Sequence, residues 1–252
     1  MKNNKLVYGI GLILLAVAVI FIGYDYSKDS FSSQTNIQTP FTADSIEITD
    51  IQILNSKANC RIEIIPSENE FVLFSYDHSK YKNNSTFANN ELTINFQSIK
   101  NINLDLNSSP KIKVKIHCKS LNKVLQTGVG DILNHDTLRA EQLIIQNKGV
   151  GDIKLTVNVA QETHVTNEGV GDIELKGKTR FVKLENRGSG DIEADYLWAS
   201  VAQVFNSGVG DVEVMATDSL YLKNKGIGDI EYSGPAIIAD IDSKGVGSIN
   251  KK

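Results

Sequence analysis

Beyond Tyr24, apolar and polar residues alternate in short stretches with a period of two, and no stretch settles into a helical period. From Ser45 onward the runs are SIEI (Ser45–Ile48), CRIEII (Cys60–Ile65), FVLFSY (Phe71–Tyr76), ELTINF (Glu91–Phe96), NINLDL (Asn101–Leu106) and KIKVKIHC (Lys111–Cys118). Alternation rich in Ile, Val and Phe is the signature of half-buried strands. In the last run Ile112, Val114, Ile116 and Cys118 share one face, while Lys111, Lys113, Lys115 and His117 share the other. The pattern predicts an all-β domain over residues 45–250.

From Gly128 onward the strands acquire punctuation. Seven near-copies of Gly-x-Gly-Asp-Ile run from Gly128 to Ile249, with first glycines 21, 20, 19, 20, 18 and 19 residues apart. The glycine–aspartate sets are Gly128, Gly130 and Asp131; Gly149, Gly151 and Asp152; Gly169, Gly171 and Asp172; Gly188, Gly190 and Asp191; Gly208, Gly210 and Asp211; and Gly226, Gly228 and Asp229. The last copy, GVGSI (Gly245–Ile249), replaces the Asp by Ser248. Self-similarity at about twenty residues marks a solenoid.

In one unit, Asp172–Gly190, Ile173 and Leu175 alternate with Glu174, and after a turn at Gly177, Val182, Leu184 and Asn186 alternate with Lys183 and Glu185. Each repeat is expected to supply two short strands and two turns, and stacked repeats bury one continuous core. Successive coils must then pair in parallel, and the usual crossover hand makes the coil right-handed. The fold expected is a right-handed parallel β-helix of about twenty residues per rung, with the repeats occupying residues 120–250.

The glycines permit a sharp corner, and the Asp after them is expected to cap its own turn. Asn147, Asn167, Asn186, Asn206 and Asn224 stand two residues before the first glycine, on the inward parity, where they are expected to form an asparagine ladder from rung to rung. Gln126 and Ser243 take that place in the end copies.

The N-terminus is of another kind. Leu6–Tyr24 is 19 residues without a charge, flanked by Lys2 and Lys5 before it and Asp25, Lys28 and Asp29 after it. As a helix it would measure roughly 28 Å, close to the hydrocarbon thickness of a bilayer. The charge asymmetry puts the N-terminus in the cytoplasm and the body outside. Residues 1–24 are therefore expected to be an uncleaved signal anchor, with cleavage after Ala18 as the alternative, and residues 25–44 a polar linker.

Charge narrows the partners. The chain has 26 basic and 30 acidic residues; without Lys2 and Lys5 the remainder is 24 against 30, a net of −6. Such a body lacks the basic footprint that nucleic acid requires. The two cysteines, Cys60 and Cys118, both sit on apolar parity, and sequence alone leaves a disulfide and two buried thiols equally open.

Candidate chemistry is sparse. The turn aspartates should form one column, and Glu174, Glu193, Glu213 and Glu231 a second, outward one. A calcium ladder is one reading, but calcium-binding β-rolls repeat every nine residues, so capping offset by Lys148, Arg187, Lys225 and Lys244 is favoured and no metal is predicted. His78, His117, His135 and His164 are scattered and no nucleophile stands beside them, so no catalytic residue and no cofactor are expected. Trp198, with Tyr196, is a candidate contact platform.

The repeated Gly-x-Gly-Asp-Ile, preceded by FVLFSYDH (Phe71–His78), ELTINF and KIKVKIHCKSL (Lys111–Leu121), resembles the head GIN domain family of auto-transporter adhesins, over roughly Ser45 to Asn250. The resemblance implies a pectin-lyase-like right-handed β-helix, no recognised catalytic constellation, and a role in adhesion. The expected function is a non-enzymatic, membrane-anchored extracytoplasmic binding module of the bacterial cell envelope. Glu174, Glu193, Glu213, Glu231 and Trp198 are its contact candidates, and an envelope protein or glycan its partner, with a homo-oligomer left open. The alternatives are a periplasmic scaffold or sensing module and, behind these, a polysaccharide-active enzyme.

Overall fold

The computed structural model describes residues 41–99 and 111–252. The apolar segment 6–24, residues 25–40 and the NINLDL run lie outside the described residues. Nineteen strands and no helix are found among those described. The fold is all-β, a solenoid of about six turns.

Alternation places one row of side chains inside, and stacking repeats that row. Ile132, Ile153, Ile173, Ile192, Val212 and Ile230 follow one another in register and are almost wholly buried. Four long strands carry the centre: β13 (Ile153–Asn167), β14 (Ile173–Asn186), β15 (Ile192–Asn206) and β16 (Val212–Asn224). Each pairs in parallel with the next along most of its length. Sequence reading expected two strands and two turns per repeat. Here only the glycine corner breaks the strand, and the second corner is a bulge marked by a register shift, as between Asn158 and Glu162. A bulge bends the strand while the ladder continues on either side.

Two parallel faces result. The first runs β9 (Lys113–Cys118), β3 (Arg61–Pro66), β11 (Ile132–Asn134), the leading halves of β13 to β16, then β17 (Ile230–Ser233) and β19 (Ile249–Lys251). The second runs β7 (Glu91–Ile94), β2 (Ile53–Ser56), β10 (Lys123–Gln126), β12 (Leu138–Asn147) from Gln142 onward, the trailing halves of β13 to β16, and β18 (Ile237–Ser243).

The segment β2–β3 is thus a further coil that lacks the glycine signature. Asn59 bridges Val129, so Ala58 and Cys60 occupy the places of Gly128 and Gly130. The reason lies in the direction of the missing Cβ. A Cβ on Gly128 would overlap the backbone of Ala58, and one on Gly149 the backbone of Gly128. Glycine is demanded by the corner beneath, and among the described residues no further corner is bridged under that of β2–β3. The second glycine also takes positive φ, +124° at Gly151, which a side chain would strain.

Antiparallel strands close the N-terminal end. Strand β4 (Phe71–Asp77) pairs with β9 and with β1 (Phe41–Glu47), which begins at Phe41 within the expected linker. Strand β6 (Thr86–Ala88) forms a hairpin with β7, and β5 (Tyr81–Asn83) pairs with β8 (Phe96–Ser98). Phe74 is fully buried there and meets Phe96 edge-on at 5.9 Å between centroids. The opposite end is open: Ile238 and Ile241 are in register with the buried Leu220 and Leu222, yet stand exposed on the last coil.

The register also decides the cysteines. Cys118 lies opposite Pro66, at the far end of the strand that begins just after Cys60. Six residues of strand separate the two levels, roughly 20 Å, well outside disulfide reach. Both are buried free thiols, and burial pushes each up to about 12.

Candidate functional site

The glycine corners set the geometry of everything outward of them. Each turn asparagine is buried and serves its own corner. The Asn186 carbonyl oxygen accepts from the Gly188 N–H at 3.3 Å, and its amide donates to the Gly190 carbonyl at 3.1 Å. Asn167, Asn206 and Asn224 repeat the arrangement. Among the described residues only the Asn147 amide reaches the next asparagine, Asn167, at 3.3 Å. The expected rung-to-rung amide ladder is therefore mostly a set of intra-turn staples.

The aspartates do the converse. Asp131, Asp152, Asp172, Asp191 and Asp211 each accept, through Oδ1, the backbone N–H of the aspartate one coil on, at 3.2, 3.1, 2.9, 2.8 and 2.7 Å. Asp229 ends the series on the Ser248 N–H at 2.6 Å and hydroxyl at 2.9 Å, which hold its carboxyl below the usual range. The turn column is a rung-to-rung lock, where sequence reading expected each Asp to cap its own turn. Of the basic residues expected to offset it, Lys148, Arg187 and Lys244 pair instead with Glu168, Glu168 and Glu185, and Asp242.

Two residues along, the outward glutamates do align. Glu174, Glu193, Glu213 and Glu231 are successive register partners. Their charges are handled unevenly. Glu174 is held by Lys176 at 2.5 Å and Lys154 at 3.5 Å, which lower its pKa. Lys252 folds back over the column, reaching Glu213 at 2.5 Å, Glu231 at 3.3 Å and Asp195 at 3.8 Å. Glu193 has no ion pair among the described residues; desolvation and the carboxylates of Glu174 and Glu213 raise its pKa. Trp198 and Tyr196 stand on β15 with 61% and 65% of their surface exposed, on the outer side of the coil.

Towards the N-terminal end the same face turns basic, which sequence reading did not single out. The column occupied by aspartates reads Arg61 on β3 and Lys113 on β9. Two adjoining open depressions of about 280 Å³ each share Arg61, Leu133 and His135; one continues to Lys154 and Lys176, the other to Lys113 and Lys115. No cluster of three or more His, Cys, Asp or Glu suited to a metal occurs among the described residues.

The sequence profile of the family described as "Putative auto-transporter adhesin, head GIN domain" matches residues 46–236. The chain belongs to this family. The head GIN match covers the antiparallel cap except for most of β1, the glycine-free coil and all but the last of the glycine corners. Among solved structures, a "putative adhesin" from Bacteroides fragilis NCTC 9343 is similar with a TM-score of 0.76 at 25% identity, over 84% of this chain and 97% of that one. A "putative lipid binding protein" from Parabacteroides distasonis ATCC 8503 gives 0.58 at 20% identity, over 84% and 96%. A "putative adhesin" from Parabacteroides merdae ATCC 43184 gives 0.54 at 20% identity, over 84% and 96%. No curated protein matches the head GIN chain.

Proposed function

We propose that this chain is an adhesion or binding module of the bacterial cell envelope: a right-handed, non-enzymatic β-solenoid, held outside the cytoplasm by the apolar segment 6–24, presenting its first face to a partner. One observation carries the reading. The turn asparagines and aspartates are engaged in the corners, whereas the aromatic pair Tyr196 and Trp198 stands outward with most of its surface exposed. Exposed aromatics of this kind are the usual anchors of binding surfaces. Membership of a family described as adhesins, and likeness to a "putative adhesin" at 25% identity, support it. On that face Glu193 is the one column glutamate left without a cation, so Trp198 and Glu193 are the contacts most open to a partner, with Glu174, Glu213 and Glu231 already engaged.

The test has two parts. Protease shaving of intact cells should remove the solenoid if the face is displayed on the cell surface; loss only after the outer envelope is opened favours the periplasmic scaffold. Separately, Trp198→Ala and Glu193→Gln should weaken retention of the chain on envelope preparations; unchanged retention in both would remove this patch from consideration.

A further inference from the structure

The basic end of the first face is built in a way that folding alone does not account for. Arg61 and Lys113 are direct cross-strand partners, both exposed, and neither has a carboxylate at ion-pair distance among the described residues. Like charges placed opposite each other disfavour a sheet. Glu63, two residues along the strand from Arg61, is shared by Lys115 at 3.6 Å and His135 at 4.0 Å. Further along, Lys154 and Lys176 converge on Glu174, and Lys154 also reaches Asp152 at 3.8 Å. A chain with a net charge of −4 thus gathers five cations against three acids, Glu63, Asp152 and Glu174, along a groove formed by two adjoining depressions.

What lies at the end of the groove defines the ligand further. Lys176 is in register with Tyr196, its Nζ 6.0 Å from the ring centroid, and Trp198 follows two residues on, outward like Tyr196. Leu133 supplies an apolar floor midway. From β9 to β15 there are five strand intervals, roughly 24 Å. The groove is open and carries cations at one end and flat aromatic faces at the other.

We infer that this groove binds an acidic polysaccharide, one bearing carboxylate or sulfate groups, lying along the solenoid axis. Its anionic groups meet Arg61, Lys113 and Lys154, and the apolar face of a sugar ring rests on Tyr196 and Trp198. Guanidinium and ammonium groups suit carboxylate and sulfate oxygens, and exposed aromatic rings offer an apolar face beside a polar tip. The shallowness of the two depressions offers no enclosed apolar volume for an acyl chain. The inference rests on the binding-module reading and gives it a ligand and a place.

Affinity electrophoresis of the full chain in mild detergent, with heparin, polygalacturonate or neutral dextran in the gel, tests it. Retardation by heparin or polygalacturonate but not dextran is expected. The double variant Arg61→Glu/Lys113→Glu should weaken it about tenfold or more, and Tyr196→Ala/Trp198→Ala several-fold, at unchanged circular dichroism. Lys123→Glu/Lys225→Glu, an equal charge change placed elsewhere, should leave it within about twofold. No retardation by either acidic polymer, equal retardation by dextran, or an Arg61/Lys113 variant no weaker than the Lys123/Lys225 control would each overturn the inference. So would binding to vesicles of phosphatidylglycerol without binding to either polymer. If the chain is retained on envelope preparations and the Arg61/Lys113 variant is retained equally, the groove fails and the binding module stands; if the unaltered chain is not retained at all, the parent reading fails.

Discussion

Replacing Asn186 by Ala and, separately, Asp172 by Ala separates the two halves of the corner chemistry. Asn186 is fully buried, and its loss strands the Gly188 N–H and the Gly190 carbonyl, which it serves at 3.3 and 3.1 Å. A buried polar group left without a partner costs about 1–3 kcal/mol, so the pair predicts a loss of about 2–6 kcal/mol. Asp172 sits at the rim and accepts one N–H, that of Asp191, at 2.9 Å. Water can replace it there, and its removal also relieves repulsion from the flanking aspartates, about 0.8 kcal/mol for each carboxylate 5 Å away in water. The expected loss is about 1 kcal/mol or less. Urea unfolding followed by circular dichroism reads the difference. With a slope of about 3 kcal/mol/M, Asn186→Ala should lower the midpoint by about 1 M and Asp172→Ala by about 0.3 M. Equal shifts, or a larger one for Asp172→Ala, would refute the assignment of the asparagine as the internal staple and the aspartate as the external lock.

Gly151→Ala should destabilise by several kcal/mol in the same assay, because its Cβ strikes the Gly130 backbone and its φ is +124°; Ala58→Gly, at the glycine-free corner, should cost about 1 kcal/mol or less. Glu193→Gln should stabilise the protein at pH 7 by about 0.5 kcal/mol after screening. The folded carboxyl titrates above its unfolded value, so its ionised form opposes folding; the difference is absent below the unfolded pKa near 4 and grows as pH rises through the folded one. Thermal melts at pH 3.5 and pH 7 show whether the gain is confined to the higher pH. Native Cys60 and Cys118 should resist iodoacetamide at pH 8 and both label in guanidinium chloride, since burial holds each thiol near 12; rapid native labelling would contradict their burial.

The solenoid was legible because its most repetitive demand, the glycine corner, recurs in the residues themselves. The coil at β2–β3 escaped notice for the same physical reason. Glycine is required where another corner, with or without glycine, lies beneath, so Ala58 and Cys60 could stand in the first corner without betraying it. Spacing also predicted that the turn asparagines and aspartates act as sets, but assigned them each other's direction. The parity of a side chain says whether it points in or out, not whether its hydrogen bonds run around the coil or along the stack. Aligned glutamates could be read from a period of twenty, whereas the basic groove could not. Arg61 and Lys113 lie 52 residues apart, joined only by parallel pairing across the antiparallel insertion, and carry no repeat signature.

The aspartate lock has a direction that bears on how such a chain can change length. Each coil from Asp131 to Asp211 presents one carboxylate forward to the backbone amide of the next aspartate, so the junctions between these coils are chemically alike. Duplicating or excising one whole coil re-forms an identical junction, whereas adding or removing half a coil leaves a carboxylate facing the wrong backbone. Length in this architecture is thus quantised: it can grow or shrink in steps of about twenty residues and roughly 4.8 Å, while the antiparallel cap and the groove near it stay as they are.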